Sequence, residues 1–171
     1  MELIWVYYIQ NLIIGYFNFK RMKSLKNFST SGLRMNKKPV PETEKGKDST
    51  AFFFLIHYGF FHLIYFIFLL KGCSLNLLTF LSIAVSAIIF YFNHQYSYQI
   101  NHERDLAGCP NLGHLMFIPY LRVVPMHLVV IFGAISFTNS LLGLLIFSVL
   151  KTISDVLMHI VEHRILQKIK N

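Results

Sequence analysis

Five long apolar runs are the feature of this sequence that most restricts how the chain can fold. They extend over residues 3–19, 51–70, 75–92, 121–137 and 141–161. Because an α-helix rises 1.5 Å per residue, about 20 residues cross the roughly 30 Å hydrocarbon core of a bilayer. A segment in lipid must satisfy its backbone hydrogen bonds internally, and no run alternates like a barrel strand. The sequence therefore predicts an all-α, polytopic transmembrane bundle of about five helices, forming a single domain over residues 1–171.

The composition agrees with a chain surrounded by lipid. Hydrophobic residues make up 54% of it and the mean hydropathy is +0.50, which is more than a soluble core needs. We therefore expect the plasma membrane as its location and the lipid bilayer as its partner. The net charge of +8 does not indicate a nucleic-acid partner, because attraction to anionic lipid headgroups is a sufficient cause for basic residues along one membrane face.

The distribution of basic residues predicts the orientation of the helices. The loop over residues 20–48 holds nine Lys or Arg and three acidic residues, whereas the turns "KGCS" and "TNS" hold one basic residue between them. By the positive-inside rule this loop is cytoplasmic. The N-terminus is then outside, and the segment 95–120 and the C-terminus are inside. The loop is also rich in polar and turn residues, so we expect it to be flexible.

Ionisable groups recur along the last apolar run. Lys151, Asp155, His159 and His163 are four residues apart in succession, so they form a ladder on one helix face. A charged group at mid-bilayer costs at least about 2.5 kcal/mol, so this face should point toward the other helices. In the predicted orientation, His159 and His163 lie in the cytoplasmic half of the bilayer, where the other apolar runs also carry histidines.

These groups predict a polar pocket in the cytoplasmic half of the bundle. The candidate ligands of a transition metal or haem are His57, His127, His159 and His163, because neutral imidazole suits such metals and "HIVEH" is a histidine pair one helical turn apart. The supporting polar residues are Gln10, Asn11, His62, Arg122, Asp155, Glu162 and Arg164.

Arg122 has a separate expected task at the cytoplasmic mouth of this pocket. It can keep Asp155 or Glu162 ionised, or it can receive an anionic substrate group with both arms of its guanidinium.

Two other functions remain open. The same His, Asp and Lys side chains could relay protons in a small transporter or channel subunit, and the chain could be a non-catalytic partner in a membrane assembly. No GxSxG elbow, P-loop or GxGxxG occurs, so the sequence does not decide whether the protein is an enzyme. Histidines that merely hydrogen-bond between helices are the structural alternative.

Four stretches carry a resemblance to a known family. They are "WVYYIQNLIIGYFNFKRM" at 5–22, "HYGFFHLIYFIFL" at 57–69, "PYLRVVPMHLVVIFG" at 119–133 and "LKTISDVLMHIVEHR" at 150–164. The chain resembles small integral membrane proteins of bacteria and archaea that are grouped as domain of unknown function 6498. The resemblance implies a multi-pass membrane protein with no assigned activity.

Overall fold

Four helices and one short hairpin make up the described part of the chain. The computed structural model describes residues 2–71 and 76–132, together with residues 145, 148, 149, 152, 153, 156 and 160. The elements are α1 (Glu2–Ser24), β1 (Arg34–Met35), β2 (Lys38–Pro39), α2 (Glu44–Lys71), α3 (Leu77–Ala107) and α4 (Leu112–Phe132). The predicted all-α class is confirmed.

Local signals explain where α3 and α4 begin and end. The side chain of Asn76 accepts a hydrogen bond from the backbone N–H of Thr79 at 2.8 Å, and the side chain of Asn111 accepts one from the N–H of His114 at 3.1 Å. Each asparagine thereby caps a helix N-terminus whose first N–H groups have no intrahelical partner. Between these helices, Gly108 stands at the C-terminal cap of α3 and Pro110 follows it.

α3 and α4 are longer at one end than their apolar runs. The sequence predicts that the third helix ends at Phe92 and the fourth begins at Leu121, but α3 continues to Ala107 and α4 begins at Leu112. Hydropathy detects contact with lipid, whereas a helix can continue past the bilayer surface with polar side chains. Most of the predicted 95–120 loop is therefore helical.

α1 lies at the centre of the described bundle. It packs against α2, α3 and α4, and α2 also packs against α4, whereas the backbones of α3 and α4 are not closely packed on each other. Gly15 permits the close approach of α1 to α2, because a Cβ there would lie 2.5 Å from Cε1 of Tyr58. A central helix with neighbours on three sides can bury polar residues, and Asn11 is fully buried.

The segment 24–43, predicted to be flexible, is folded against the ends of the helices. The backbone N–H of Ser29 donates to the carbonyl of Pro110 at 3.0 Å, and the N–H of Leu112 donates to the carbonyl of Ser29 at 2.8 Å. The segment also buries Leu25, Phe28, Leu33 and Val40, each at most 8% exposed. Burial of these apolar side chains offsets the entropy of ordering a polar, basic loop. We call residues 20–48 and 101–112 together the polar end of the bundle.

Two of the helices are long and apolar enough to cross a membrane. These candidate spans are Glu44–Leu70 and Leu77–Ala107, and only 28% and 11% of their most apolar windows are buried. Most of their apolar side chains therefore point outward. The predicted fifth helix, 141–161, lies largely outside the described residues; the described positions within it are helical.

Candidate functional site

A cavity of about 130 Å³ lies between α1, α3 and α4. We call it the Arg122 pocket. Its lining residues are Ile14, Phe17, Asn18 and Arg21 of α1, His94, Ser97, Tyr98 and Asn101 of α3, and Ile118, Pro119 and Arg122 of α4. On α1 and α3 the lining positions repeat at intervals of three or four, so each helix contributes one continuous face. The helical spacing of these residues therefore places them on the faces of α1 and α3 that line the pocket.

Arg21 and Asp105 form an ion pair beside the pocket. Nη2 of Arg21 donates to Oδ1 of Asp105 at 2.7 Å, and Nε of the same guanidinium donates to the other carboxylate oxygen. Asp105 is buried, with 5% of its surface exposed. This two-pronged geometry is the strong form of a charge-assisted hydrogen bond. The charge of Arg21 is therefore neutralised within the protein.

Arg122 has no such partner among the residues that the structure describes. No described carboxylate lies within ion-pair distance of its guanidinium, and no acidic residue is among the described residues that line the pocket. The side chain is half-buried on α4, where a charge is less well solvated than at the surface. Among the described groups, the pocket thus carries one uncompensated positive charge.

Asn18 satisfies a backbone carbonyl that Pro119 leaves without a helical donor. In an α-helix the N–H of residue 119 would bond the carbonyl of Leu115, but proline has no N–H. Nδ2 of Asn18 donates to this carbonyl at 2.7 Å. The contact ties α1 to α4 at the wall of the pocket and fixes the orientation of the Asn18 amide.

The α3 wall supplies hydroxyl and imidazole groups. Nδ2 of Asn101 donates to the carbonyl of Ser97 at 2.9 Å, which fixes the amide against its own helix. The lining residues His94, Ser97 and Tyr98 carry side-chain groups that can donate hydrogen bonds. Nζ of Lys20 lies 4.6 Å from the centre of the Tyr98 ring and adds positive charge near this wall. The pocket is therefore rich in donors.

Two of the four predicted metal ligands lie along the seam between α2 and α4. Nδ1 of His57 is hydrogen-bonded to the hydroxyl of Tyr120 at 2.8 Å, and Nδ1 of His127 to that of Tyr65 at 2.7 Å. The ring of Phe61 packs against both imidazoles, at centroid distances of 5.0 and 5.7 Å. Each histidine thus pairs with a tyrosine across the two helices.

The predicted supporting residues of α1 and α2 are not among the residues that line the Arg122 pocket. Asn11 is buried, and its backbone carbonyl accepts a hydrogen bond from the Tyr58 hydroxyl at 2.9 Å. Nδ1 of His62 donates to the carbonyl of Tyr58 at 2.9 Å, so its Nε2 is unprotonated when the ring is neutral. Nε2 is buried and has no partner among the described groups. Gln10 is half-buried on α1.

The remaining predicted site residues lie outside the described residues. They are Asp155, His159, Glu162, His163 and Arg164. Within residues 2–71 and 76–132, no three His, Cys, Asp or Glu side chains are grouped closely enough to hold a metal ion. The four-histidine metal site therefore stays a prediction.

Sequence reasoning found Arg122 but missed the residues that share its pocket. Ser97 and Asn101 were not predicted because the sequence predicts a loop over residues 95–120. Asn18 and Arg21 were not predicted because helical spacing does not show which face of α1 meets α3 and α4. The signal was present in the spacing of His94, Ser97, Asn101 and Asp105, which continues one polar helical face beyond the apolar run.

Comparison with known proteins gives one match. A family model described as "Family of unknown function (DUF6498)" matches residues 1–170. No curated protein and no solved structure matches the chain. The description of the family states no activity, so the function has to be argued from the site.

Proposed function

Since the chain belongs to the family of unknown function DUF6498, we propose that it is a multi-pass integral membrane protein that binds an anionic ligand in the Arg122 pocket. We propose five membrane-spanning helices, with the N-terminus outside and the polar end in the cytoplasm. The ligand supplies the negative charge that Arg122 lacks among the described residues.

The outward-facing surface supports the membrane location. Large apolar side chains are exposed along α2 and α3, among them Ile56 at 72%, Phe60 at 58%, Leu78 at 77% and Phe92 at 67%. Soluble proteins rarely expose contiguous apolar patches beyond a few hundred Å², because water is a poor solvent for them. Polar groups such as Asn11 and His62 lie inside instead. An apolar exterior around a partly polar interior is the arrangement expected in lipid.

The charge distribution supports the orientation. Residues 20–48 carry nine basic and three acidic side chains, and the fold brings them together with Arg104 at the polar end. The basic hairpin and the ends of the four described helices therefore face the same compartment. The positive-inside rule assigns that compartment to the cytoplasm.

The uncompensated charge of Arg122 is the observation that carries the anion proposal. A half-buried guanidinium needs a counter-charge or good solvation, and the neighbouring Arg21 already occupies the nearby Asp105. Arg122 can present parallel N–H groups to an anion, while His94, Ser97 and Tyr98 offer further donors. No described carboxylate lines the pocket, so none of these residues would repel a bound anion.

Calorimetric titration of the detergent-purified protein tests this proposal. Titration of the wild type with inorganic phosphate or sulfate should give a saturable heat of binding. Titration of Arg122→Gln should give none. The matched control is Arg104→Gln, which removes an exposed arginine outside the pocket lining and should bind like the wild type. Equal binding by both variants would place the anion elsewhere on the basic surface and overturn the proposal.

A metal- or haem-binding site remains the second candidate function. The observation that favours it is the buried Nε2 of His62, which has a lone pair and no partner among the described groups. A ring whose Nδ1 donates to a backbone carbonyl presents Nε2 in the form that metals bind. We propose that any such metal lies on the α2 side of the bundle, away from the Arg122 pocket.

A further inference from the structure

We infer that the ligand of the Arg122 pocket is the phosphate group of a membrane lipid with a small headgroup, which enters sideways between α3 and α4. This inference rests on the proposed anion site and names its ligand. It follows from the level of the pocket in the bilayer, from the gap between two helices and from the size and donors of the cavity.

The pocket lies at the level where lipid phosphates are found. α3 has 31 residues and is therefore about 46 Å long, longer than a hydrocarbon core of roughly 30 Å. Counted from Leu77, hydrocarbon ends about 20 residues along, close to Ser97. On α4, Arg122 lies ten residues beyond Leu112, about 15 Å from the polar end. Both helices place the pocket at the boundary between hydrocarbon and headgroups.

Aromatic residues mark the same boundary. Tyr91 and Tyr96 are exposed on α3, at 43% and 66%, on the turns that also carry the pocket wall. Tyrosine prefers the headgroup level of a bilayer, because its ring is apolar and its hydroxyl is polar. These side chains support the same level for the pocket as the helix lengths do.

The arrangement of the described helices leaves a lateral route into the pocket. The backbones of α3 and α4 both pack closely on α1 but not on each other, so α1 forms the floor of a cleft between these two described helices. The turns of α4 that carry the pocket also carry Phe117 and Leu121, exposed at 61% and 44%. Apolar side chains beside a polar cleft suit a ligand that has an acyl part and a charged part.

The size and donors of the cavity favour a phosphate with little attached to it. At about 130 Å³ the cavity is smaller than the roughly 300 to 1,000 Å³ of pockets that enclose drug-sized ligands. Arg122, His94, Ser97 and Tyr98 offer more donors than the two oxygens of a carboxylate require. A terminal phosphate has three acceptor oxygens, so phosphatidic acid fits better than a lipid with a bulky choline group.

Native mass spectrometry of delipidated protein tests this assignment. We expect one bound phosphatidic acid per chain, weak retention of phosphatidylcholine, and on the order of tenfold weaker phosphatidic acid binding by Arg122→Gln. Tyr98→Phe removes one donor without removing charge and should weaken binding less. It serves as a second variant if Arg122→Gln does not fold. Arg104→Gln should bind phosphatidic acid as the wild type does.

The outcomes separate the lipid from the anion site itself. If inorganic phosphate binds in an Arg122-dependent manner and phosphatidic acid does not, the lipid assignment is overturned while the proposed function stands. If neither binds, or if both bind equally well to Arg122→Gln, the proposed function fails as well. Equal retention of phosphatidic acid and phosphatidylcholine would overturn the assignment of the ligand to a lipid with a small headgroup.

Discussion

Arg21 and Asp105, 84 residues apart in the chain, join α1 to α3 through two parallel hydrogen bonds at the polar end. The guanidinium is 17% exposed and the carboxylate 5%. Because this carboxylate is paired with Arg21, it does not form an ion pair with Arg122, which lines the same cavity as Arg21. The ion pair therefore matters both for the stability of the helix packing and for the charge of the pocket.

Breaking this ion pair should destabilise the bundle strongly. Asp105→Leu leaves Arg21, which is 17% exposed, without its counter-charge; breaking a fully buried pair costs about 3 to 5 kcal/mol, and we expect a loss toward the lower end of that range. The double variant Arg21→Met, Asp105→Leu leaves no unpaired charge and should be more stable than either single variant. The measurement is the free energy of unfolding in mixed detergent micelles.

An exposed ion pair at the same end provides the control. Lys23 and Asp48 are 2.6 Å apart with 37% and 43% of their side chains exposed. Asp48→Asn should cost about 1 kcal/mol or less, because water solvates both groups. If Asp48→Asn and Asp105→Leu cost the same, burial does not set the strength of these pairs.

Asn18 and Pro119 should be energetically coupled through the carbonyl of Leu115. Asn18→Ala leaves this carbonyl without its donor and should cost about 1 to 3 kcal/mol. In a Pro119→Ala background the new N–H can bond the same carbonyl, so the cost of Asn18→Ala should fall. A double-mutant cycle of unfolding free energies measures the coupling. Additive effects would mean that the Asn18 contact does not replace the missing helical bond.

The proposed orientation predicts opposite accessibility at the two ends of the bundle. After replacement of Cys73 and Cys109 by serine, a cysteine at Lys37 should be shielded from a membrane-impermeant maleimide in intact cells, and one at Asn139 should react. Permeabilised cells should label both positions, which shows that both cysteines are reactive. Labelling of Lys37→Cys in intact cells would contradict the proposed orientation.

The proposed metal or haem site predicts that the purified protein contains a bound metal or haem. Purified protein should contain a stoichiometric transition metal, or show a haem Soret band, and His62→Ala with His127→Ala should abolish it. His114→Ala is the matched control, because His114 is exposed on the first turn of α4, about 20 Å along the helix from His127. Metal-free protein whose double variant loses only thermal stability would assign these histidines a structural role.

The helices were predictable where the sequence contains long apolar runs. The runs 3–19 and 51–70 fall within α1 and α2, because an apolar run of this length has few alternatives to a helix. The ends of α3 and α4 were not predictable from hydropathy. Polar residues from Asn93 to Ala107 are compatible with either a loop or a helix outside the hydrocarbon, and tertiary contacts such as Arg21 with Asp105 decide between them.

The candidate site was predictable only in part for a related reason. The sequence predicts a counter-charge for Arg122, either a protein carboxylate or an anionic substrate group, since an arginine inside an apolar run is costly without one. Which residues share its pocket depends on which faces of α1, α3 and α4 meet. Helical spacing gives the face of each helix, but it does not give the neighbouring helix, so the sequence did not predict that Asn18 lines the same cavity as Arg122.

The stability of Arg122→Met tests the central claim most directly, because the sign of the effect distinguishes the two possible counter-charges. If the charge of Arg122 is satisfied by a bound anion, Arg122→Met should be at least as stable as the wild type in anion-free buffer, and phosphate should stabilise only the wild type. If Asp155 or Glu162 neutralises Arg122, the substitution leaves that carboxylate unpaired. A loss of about 3 to 5 kcal/mol in Arg122→Met, with no effect of phosphate on the wild type, would contradict the anion site.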